Sequence, residues 1–368
     1  MFFTKKNTCF ILSSDNVQNI NIRGYLLSAL EGIFKEVYFV GDRTNTCNSL
    51  EIPWKGAFRR NGIFFEPVIF LRLVFVIFRY KPSHIISFSP KVNIYAGIIS
   101  RIFSIKHIAV VSGLGRDHKN FQNKYSIYRI LFKLALKKMT GIVAMNQSNY
   151  NFLSQLLEPQ HILSIPSESY DHKIDIEFCK NYANKDIFYI SRIVPEKGIL
   201  LLLEVFSDIH AKYPSVNMHI AGQLSLGEGS KEEKIFKKYI EGPNIHYYGM
   251  INKEKKDKFF KESSIFAFPS NYGEGLPMVL LEAQANRCLT ITTNIPGCSD
   301  AIYPAMKDFL CDYNKRGLYN SIESAINMPI IEAEKLCKDA ELWVVENHNP
   351  NKVKELYLSF FESSGFLE

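Results

Sequence analysis

Short apolar runs alternate with longer amphipathic stretches along almost the whole chain. In the first half, Cys9–Ser13 reads as a strand, Ile22–Gly32 as a helix and Val37–Val40 as a second strand. His84–Phe88 (HIISF), Ile108–Val111 and Gly141–Ala144 continue the strand series. The second half restarts the same pattern. Strands are predicted at Ile187–Ile190, Val216–Ala221, His246–Tyr248, Ile265–Phe268 and Leu289–Thr292. Helices are predicted between them at Ile199–Tyr213, Lys253–Lys261 and Pro277–Asn286. Strand and helix in strict alternation imply parallel sheets with crossover helices, an α/β fold.

The polar stretch from Pro166 to Lys185 lacks either period, so the domain boundary belongs there. A chain of 368 residues is too long for one ordinary domain. We expect one domain over 1–170, a second over 171–345, and a terminal helix over 346–368 that returns to the first. Val68–Phe78 (VIFLRLVFVIF) is strongly apolar, but Arg72 interrupts it and Glu66 and Arg79 bound it. It is too short and too charged to cross a bilayer comfortably. Two readings stay open: a crossover helix buried against the sheet, or a helix lying at a membrane surface with Arg72, Arg79 and Lys81 near anionic headgroups.

Composition narrows the class. Apolar residues at 46% and charged residues at 22% suit a folded soluble protein. The seven cysteines, Cys9, Cys47, Cys179, Cys288, Cys298, Cys311 and Cys337, are scattered and form no C-x-x-C pair. That argues against a disulfide framework or a zinc site and fits a reducing, cytoplasmic setting. The opening MFFTKKNTCFILSSDN carries too short an apolar run for a signal peptide. The net charge of +7 is uneven: residues 1–180 hold 23 Lys and Arg against 12 Asp and Glu, which leaves the remainder acidic. A basic first half suits anionic partners, and equally a well-solvated lysine-rich surface.

The densest candidate chemistry lies in SIFAFPSNYGEGLPMVLLEAQA, Ser264–Ala285. A strand runs into the loop Pro269–Gly275 and then a helix whose first turn suits Pro277. A helix start offers backbone N–H groups, here at Gly275 and Leu276, that attract phosphate. Gly273 and Gly275 let a ligand approach the backbone closely. Glu274 and Glu282 stand eight positions apart, one at the loop and one two turns into the helix, and carboxylates accept hydrogen bonds from sugar hydroxyls.

This segment resembles the Glu-x7-Glu signature of the retaining glycosyltransferases of family four. The resemblance runs through most of the second half in order. It takes in ISRIVPEKGILLLLEVF (Ile190–Phe206), NMHIAGQLSLGEG (Asn217–Gly229), NIHYYGMINKEKKDKFFKES (Asn244–Ser263) and NIPGCSDAI (Asn294–Ile302). It implies a GT-B fold, with two facing Rossmann-like domains and an interdomain cleft, the first domain taking the acceptor and the second the nucleotide-sugar donor. It implies that Arg192 and Lys197 bind the donor diphosphate, that Glu274 sits by the donor sugar, and that Glu282 takes the ribose hydroxyls. Ser270, Gly222, Gly273, Gly275 and Leu276 join the implied donor site. Ser191 and Arg287 depart from the pattern, each standing where glycine is usual.

The first half resembles bacterial transferases of surface polysaccharides such as O-antigen and capsule, through SFSPKVNIYAGIISRIF (Ser87–Phe103) and VVSGLGRDH (Val110–His118). Gly113 and Gly115 would turn the chain at a strand's C-terminal end, where open α/β sheets bind ligands. Arg116, Asp117, His118 and Lys91 are candidates for the acceptor or the diphosphate side.

The resemblance implies transfer with retention from a UDP-hexose or UDP-N-acetylhexosamine to a glycan or polyprenyl-diphosphate-linked acceptor at a cytoplasmic membrane surface, without nucleic acid. No metal or other cofactor is expected. Asp175-Ile-Glu177 ends no apolar strand and reads as surface. No G-x-x-x-x-G-K-[ST] loop is present, and no G-x-G-x-x-G follows the first strand, which argues against an NTPase or a dehydrogenase. Two alternatives stand beside this reading: a nucleotide-sugar epimerase on the same fold, and a non-catalytic basic membrane-binding protein.

Overall fold

The computed structural model describes residues 6–13, 24–41, 49–51, 67–112, 126–157, 162–165 and 169–367, which fall into two compact units. The first takes the described residues up to Ser169, the segment Gly273–Leu276 and the residues from Pro350 on. The second takes Tyr170–Tyr272 and Pro277–Asn349.

Among the described residues, seven strands build the first unit: β1 (Lys6–Leu12), β2 (Glu36–Gly41), β3 (Ser49–Glu51), β4 (Pro82–Phe88), β5 (Lys106–Val111), β6 (Gly141–Ala144) and β7 (Ile162–Ser164). Their order is β3-β2-β1-β4-β5-β6-β7, every pair parallel. The pleat sends alternate side chains to opposite faces. Phe10 and Leu12 of β1, with Ala109 and Val111 of β5, enter one apolar layer. Cys9, Ile11, Ile108 and Val110 enter the other.

The first layer is covered by α2 (Pro67–Tyr80), α3 (Pro90–Ile102), α4 (Ile127–Leu136) and α5 (Gln147–Ser154), and the second by α1 (Gly24–Glu31) and α12 (Pro350–Ser363). Both faces are therefore buried, as parallel sheets require. The apolar run that left two readings open is the helix α2; Ile69, Leu73 and Ile77 face the core, while Leu71 and Phe75 on the opposite side are exposed. Helix α3 packs closely on α4 at Gly97, where an added Cβ would lie 2.7 Å from Met139 Cε and 2.9 Å from the Ala135 carbonyl oxygen.

A buried polar chain crosses the first core. Ser87 Oγ donates to Asn93 Oδ1 at 2.7 Å, and His107 Nε2 lies 2.7 Å from the same hydroxyl. That hydroxyl has spent its proton, so the imidazole donates from Nε2; Nδ1 lies 3.1 Å from Ser100 Oγ, which also donates to the Gly97 carbonyl at 3.2 Å. Burial pushes the His107 pKa down to about 3, so the ring stays neutral.

The second unit holds a six-stranded parallel sheet in the order β10-β9-β8-β11-β12-β13. The strands are β8 (Ile187–Ile190), β9 (Met218–Ala221), β10 (Ile245–Tyr247), β11 (Ile265–Phe268), β12 (Leu289–Thr293) and β13 (Leu310–Cys311). Helices α6 (Ile199–Lys212), α7 (Lys231–Ile240), α8 (Lys253–Glu262), α9 (Met278–Ala285), α10 (Lys315–Asn327) and α11 (Ile330–His348) connect and cover them. Asn252 and Asn314 cap α8 and α10 by accepting the N–H three residues on, a contact that satisfies an otherwise unpaired donor. Pro277 stands at the N-cap of α9 rather than inside its first turn, with an extended ψ of 109°.

The polar stretch before β8 is bound into this unit. Lys180 Nζ donates to the carbonyls of Phe260 and Ser263 at 2.6 and 2.8 Å and so caps the end of α8. Arg287 takes the left-handed φ of 56° that glycine would adopt more easily. Its side chain is aimed at residues 172–182 and α11. Nε meets Glu341 Oε2 at 2.7 Å, Nη2 meets the Asp175 carbonyl at 3.1 Å, and Nη1 reaches the Phe178 carbonyl. Asp175 and Glu177 are exposed, as expected of surface positions.

Burial raises the Glu341 carboxyl, but hydrogen bonds from His172 and Arg287 outweigh it and hold the pKa below the usual range. The pair contributes stability that is present above the unfolded carboxyl pKa and lost as pH falls through the folded one. Both side chains are nearly inaccessible, at 6% and 4%. Arg287→Met strands Glu341 in the interior and is expected to cost roughly 3 kcal/mol at pH 7. Urea unfolding of Arg287→Met against the Arg287→Met/Glu341→Leu double variant checks this. The double variant recovers a large part of the loss if the stranded carboxylate is its cause.

Candidate functional site

Strand order locates the site in the second unit. From β8 the chain moves outward to β9 and β10, then crosses back to β11 on the other side. The loops after β8 and β11 thus diverge at neighbouring strand ends, the switch point where open α/β sheets leave a crevice. Arg192 and Lys197 lie on the first of these loops and Ser270 on the second.

The loop after β8 is fixed by close approach. Gly222, at the end of β9, has φ 132°, and an added Cβ would sit 1.7 Å from the Ser191 carbonyl oxygen. Tyr247 Oη donates to the Gly222 carbonyl at 2.9 Å, and the Gly222 N–H donates to the Gly249 carbonyl at 2.7 Å. This clamp sets the backbone immediately before Arg192, whose side chain is exposed. Pro195–Lys197 then forms one 3₁₀ turn, ended by Gly198 at φ 75°. A Cβ at Gly198 would stand 1.8 Å from the Pro269 carbonyl oxygen, so the two loops touch backbone to backbone.

Hydrogen bonds lock that contact. Asn271 N–H donates to the Glu196 carbonyl at 2.8 Å, and Tyr272 N–H donates to Ser270 Oγ at 3.2 Å. Ser270 is fully buried, and its carbonyl accepts from Thr293 Oγ1. Lys197 Nζ sits 5.4 Å from the Phe268 ring centre and 5.1 Å from that of Tyr272. Ring faces attract a cation at such distances and favour this placement of the ammonium.

Glu282 stands in α9 and is half-enclosed. Lys256 Nζ, from α8, lies 2.9 Å from each of its carboxylate oxygens. Burial raises the Glu282 pKa, and the Lys256 charge and hydrogen bond work against that rise without cancelling it. Burial also pushes the Tyr170 pKa up to about 12, with the Glu282 charge adding to it. Lys256 is a partner of Glu282 that the motif does not mark. In the run KEKKDK it reads as one more solvated cation, and only the fold brings it to a carboxylate 26 residues away.

The remaining expected residues divide differently. Gly273, Glu274, Gly275 and Leu276 group with the first unit. There Asn146 Nδ2 donates to the Gly275 carbonyl at 2.7 Å and to the Glu274 carbonyl at 3.3 Å. A Cβ at Gly275 would lie 1.7 Å from the Ser112 carbonyl oxygen, so the chain's own backbone occupies the close approach that glycine permits. Asn146 was unmarked by the sequence; its side chain also caps α5 at 2.7 Å from Asn149 N. Lys91 stands in the first turn of α3, after Ser89 at φ 72°. Gly113, Gly115, Arg116, Asp117 and His118 lie outside the described residues.

Residues 174–343 match the family Glycosyl transferases group 1. The chain is 25% identical over 318 residues to the capsular polysaccharide biosynthesis glycosyltransferase CapM of Staphylococcus aureus, covering 82% of this chain and 78% of that protein. It is 26% identical over 269 residues to a poly(ribitol-phosphate) alpha-N-acetylglucosaminyltransferase of Staphylococcus aureus strain COL, covering 67% of this chain and 52% of that one. Among solved structures, Anabaena Alr3699/HepE in complex with UDP and glucose superposes with a TM-score of 0.73 at 12% identity, over 96% of this chain and 99% of that one. The fold is α/β of the GT-B class.

The Lys256–Glu282 pair makes a pH-dependent prediction. Glu282 has a folded pKa above its unfolded value, so its ionised form costs stability at neutral pH, and the cost vanishes as pH falls through the folded pKa. Lys256→Met removes the group that offsets this cost. It is expected to lose on the order of 2 kcal/mol at pH 7 and progressively less toward pH 4. Adding Glu282→Gln should abolish that pH dependence. Urea unfolding of the three proteins across this range checks it, and a loss that stays constant with pH sinks the assignment.

Proposed function

We propose, for a glycosyltransferase whose residues 174–343 form a group 1 domain, that it moves a hexose or N-acetylhexosamine from UDP to a glycan acceptor with retention of anomeric configuration. The interlocked loops at the β8–β11 switch point carry this reading. They fix Lys197 beside two aromatic faces and leave Arg192 accessible on the same short loop. Transfer breaks the bond from the sugar C1 to the diphosphate oxygen, and the electron pair stays on the diphosphate. Two cations at that oxygen stabilise the charge as it develops. The acceptor oxygen bonds to C1 from the same face, and its proton passes to a donor phosphate oxygen. No enzyme base and no metal ion take part.

Glu282 accepts the ribose hydroxyls, and Lys256, 2.9 Å from each carboxylate oxygen, favours its charged form against burial. Glu274 attends the donor sugar, and Ser270, Gly222, Gly273, Gly275 and Leu276 shape the loops around the nucleotide. Lys91, Gly113, Gly115, Arg116, Asp117 and His118 serve the acceptor side. The HepE complex named above holds UDP and glucose, and the relatives named above make capsule or decorate poly(ribitol-phosphate). These support a UDP-sugar donor and a place in bacterial surface-polysaccharide synthesis. The basic first half supports an anionic acceptor, a glycan on a polyprenyl diphosphate at the cytoplasmic face of the membrane.

Thermal unfolding with UDP-, GDP- and ADP-sugars tests the donor. UDP-sugars are expected to raise the Tm, and indifference to all three classes would overturn the reading. Lys197→Ala is expected to lower kcat by roughly 10²–10³-fold, the cost of one lost transition-state donor. Glu282→Ala should act mainly on the donor KM, since ribose contacts are the same in ground and transition states. An unchanged kcat in Lys197→Ala, or an unchanged donor KM in Glu282→Ala, removes that residue from the site.

A further inference from the structure

Two helices of the first unit bury one face and leave the other bare. Along α2, Ile69, Leu73 and Ile77 enter the core, while Leu71, Phe75 and Phe78 are 64%, 68% and 52% exposed. Along α4, Phe132, Ala135 and Leu136 enter the same core, while Ile127, Ile130 and Leu134 stay exposed. Both helices lie on one face of the seven-stranded sheet, so both bare faces point away from it on the same side. Helix α3 joins them: Phe70 of α2 meets Tyr95 of α3 edge to face at 5.7 Å, and Arg101 at the end of α3 donates to the Leu134 carbonyl. Nine of the sixteen large apolar side chains exposed among the described residues fall on these three helices. Apolar surface concentrated in this way marks an interaction site, whereas scattered apolar residues do not.

Charge identifies the partner. Residues 67–157 contain thirteen Lys and Arg and one acidic residue, Asp117. Arg72 and Arg79 of α2, with Lys133, Lys137 and Lys138 in and after α4, are exposed around the apolar faces. A second copy of the chain meeting this surface about a two-fold axis would set cation against cation. A nucleic acid would leave the large apolar side chains facing phosphate. Helix α2 is 14 residues long, about 21 Å, too short to cross a hydrocarbon core of about 30 Å. Among the described residues, no helix is long and apolar enough to cross a membrane. Apolar side chains ringed by cations on short helices match a helix lying in the headgroup region, its apolar face among the upper acyl carbons.

We propose that the outer faces of α2 and α4 form a docking surface for an anionic lipid bilayer. This deepens the function proposed above, in which a membrane lipid carries the acceptor, by naming the surface that meets the membrane.

Flotation of the full chain with vesicles tests it. Binding is expected to phosphatidylglycerol–phosphatidylcholine vesicles and to be weakened by salt, with far less binding to phosphatidylcholine alone. The triple variant Leu71→Ser, Phe75→Ser, Leu134→Ser alters only exposed side chains, and its unfolding curve should match the parent. Its partition onto the anionic vesicles is expected to fall at least about tenfold. Absence of parent binding, or undiminished binding by the triple variant, overturns the proposal. So does a concentration-dependent dimer, seen by light scattering, that the triple variant abolishes. UDP-sugar binding, followed by thermal shift on the same proteins, should be equal in parent and variant. If vesicles bind and no nucleotide sugar does, the docking surface stands and the proposed transfer falls.

Discussion

The second unit is organised around a contact in which no side chain takes part: the α-carbon of Gly198 against the carbonyl of Pro269. The two residues follow neighbouring strands, β8 and β11, and the approach is open only to a residue without a Cβ at a left-handed φ. Once the backbones touch, the Glu196 carbonyl comes within reach of Asn271 N–H, and Ser270 is closed into the interior. Lys197, next to Gly198, places its Nζ over the Phe268 and Tyr272 rings. The close approach of these two loops thus depends on the absence of one methyl group. A similar constraint acts one strand away, where Gly222 is pressed on Ser191 and orients the chain entering Arg192.

The strands were the most legible part of the chain. Gly141–Ala144, Ile187–Ile190 and Ile265–Phe268 have the limits that their apolar runs predict, because burial on both faces leaves no polar residue within them. The short edge strands β3, β7 and β13 carry two or three residues each, too few for a period to register. Pro277 shows another limit. Proline is compatible with the N-cap and with the first turn alike, so its identity alone does not distinguish the two.

The candidate residues were legible as positions on two loops and a helix, and less so as a set of partners. Motif spacing locates Arg192, Lys197 and Glu282, but pairing across elements depends on three-dimensional register. Lys256 illustrates this, being indistinguishable in sequence from Lys253, Lys255 or Lys258. Arg287 does the same. It stands where the motif usually has glycine, and its guanidinium meets the Asp175 and Phe178 carbonyls and the Glu341 carboxylate, partners the motif does not mark.

The polar stretch that reads as a connector is part of the second unit's interior. Lys180 closes the end of α8, Tyr182 donates to the Arg287 carbonyl, and His172 completes the pair at Glu341. Chimeras that exchange halves between related enzymes therefore have a crossover point set by chemistry and not by apparent flexibility. A junction ahead of Tyr170 carries the whole buried network across as one heritable block. A junction placed inside 172–182 joins an arginine to a foreign strand of carbonyls, and the hybrid inherits a buried cation without the partners that evolved beside it.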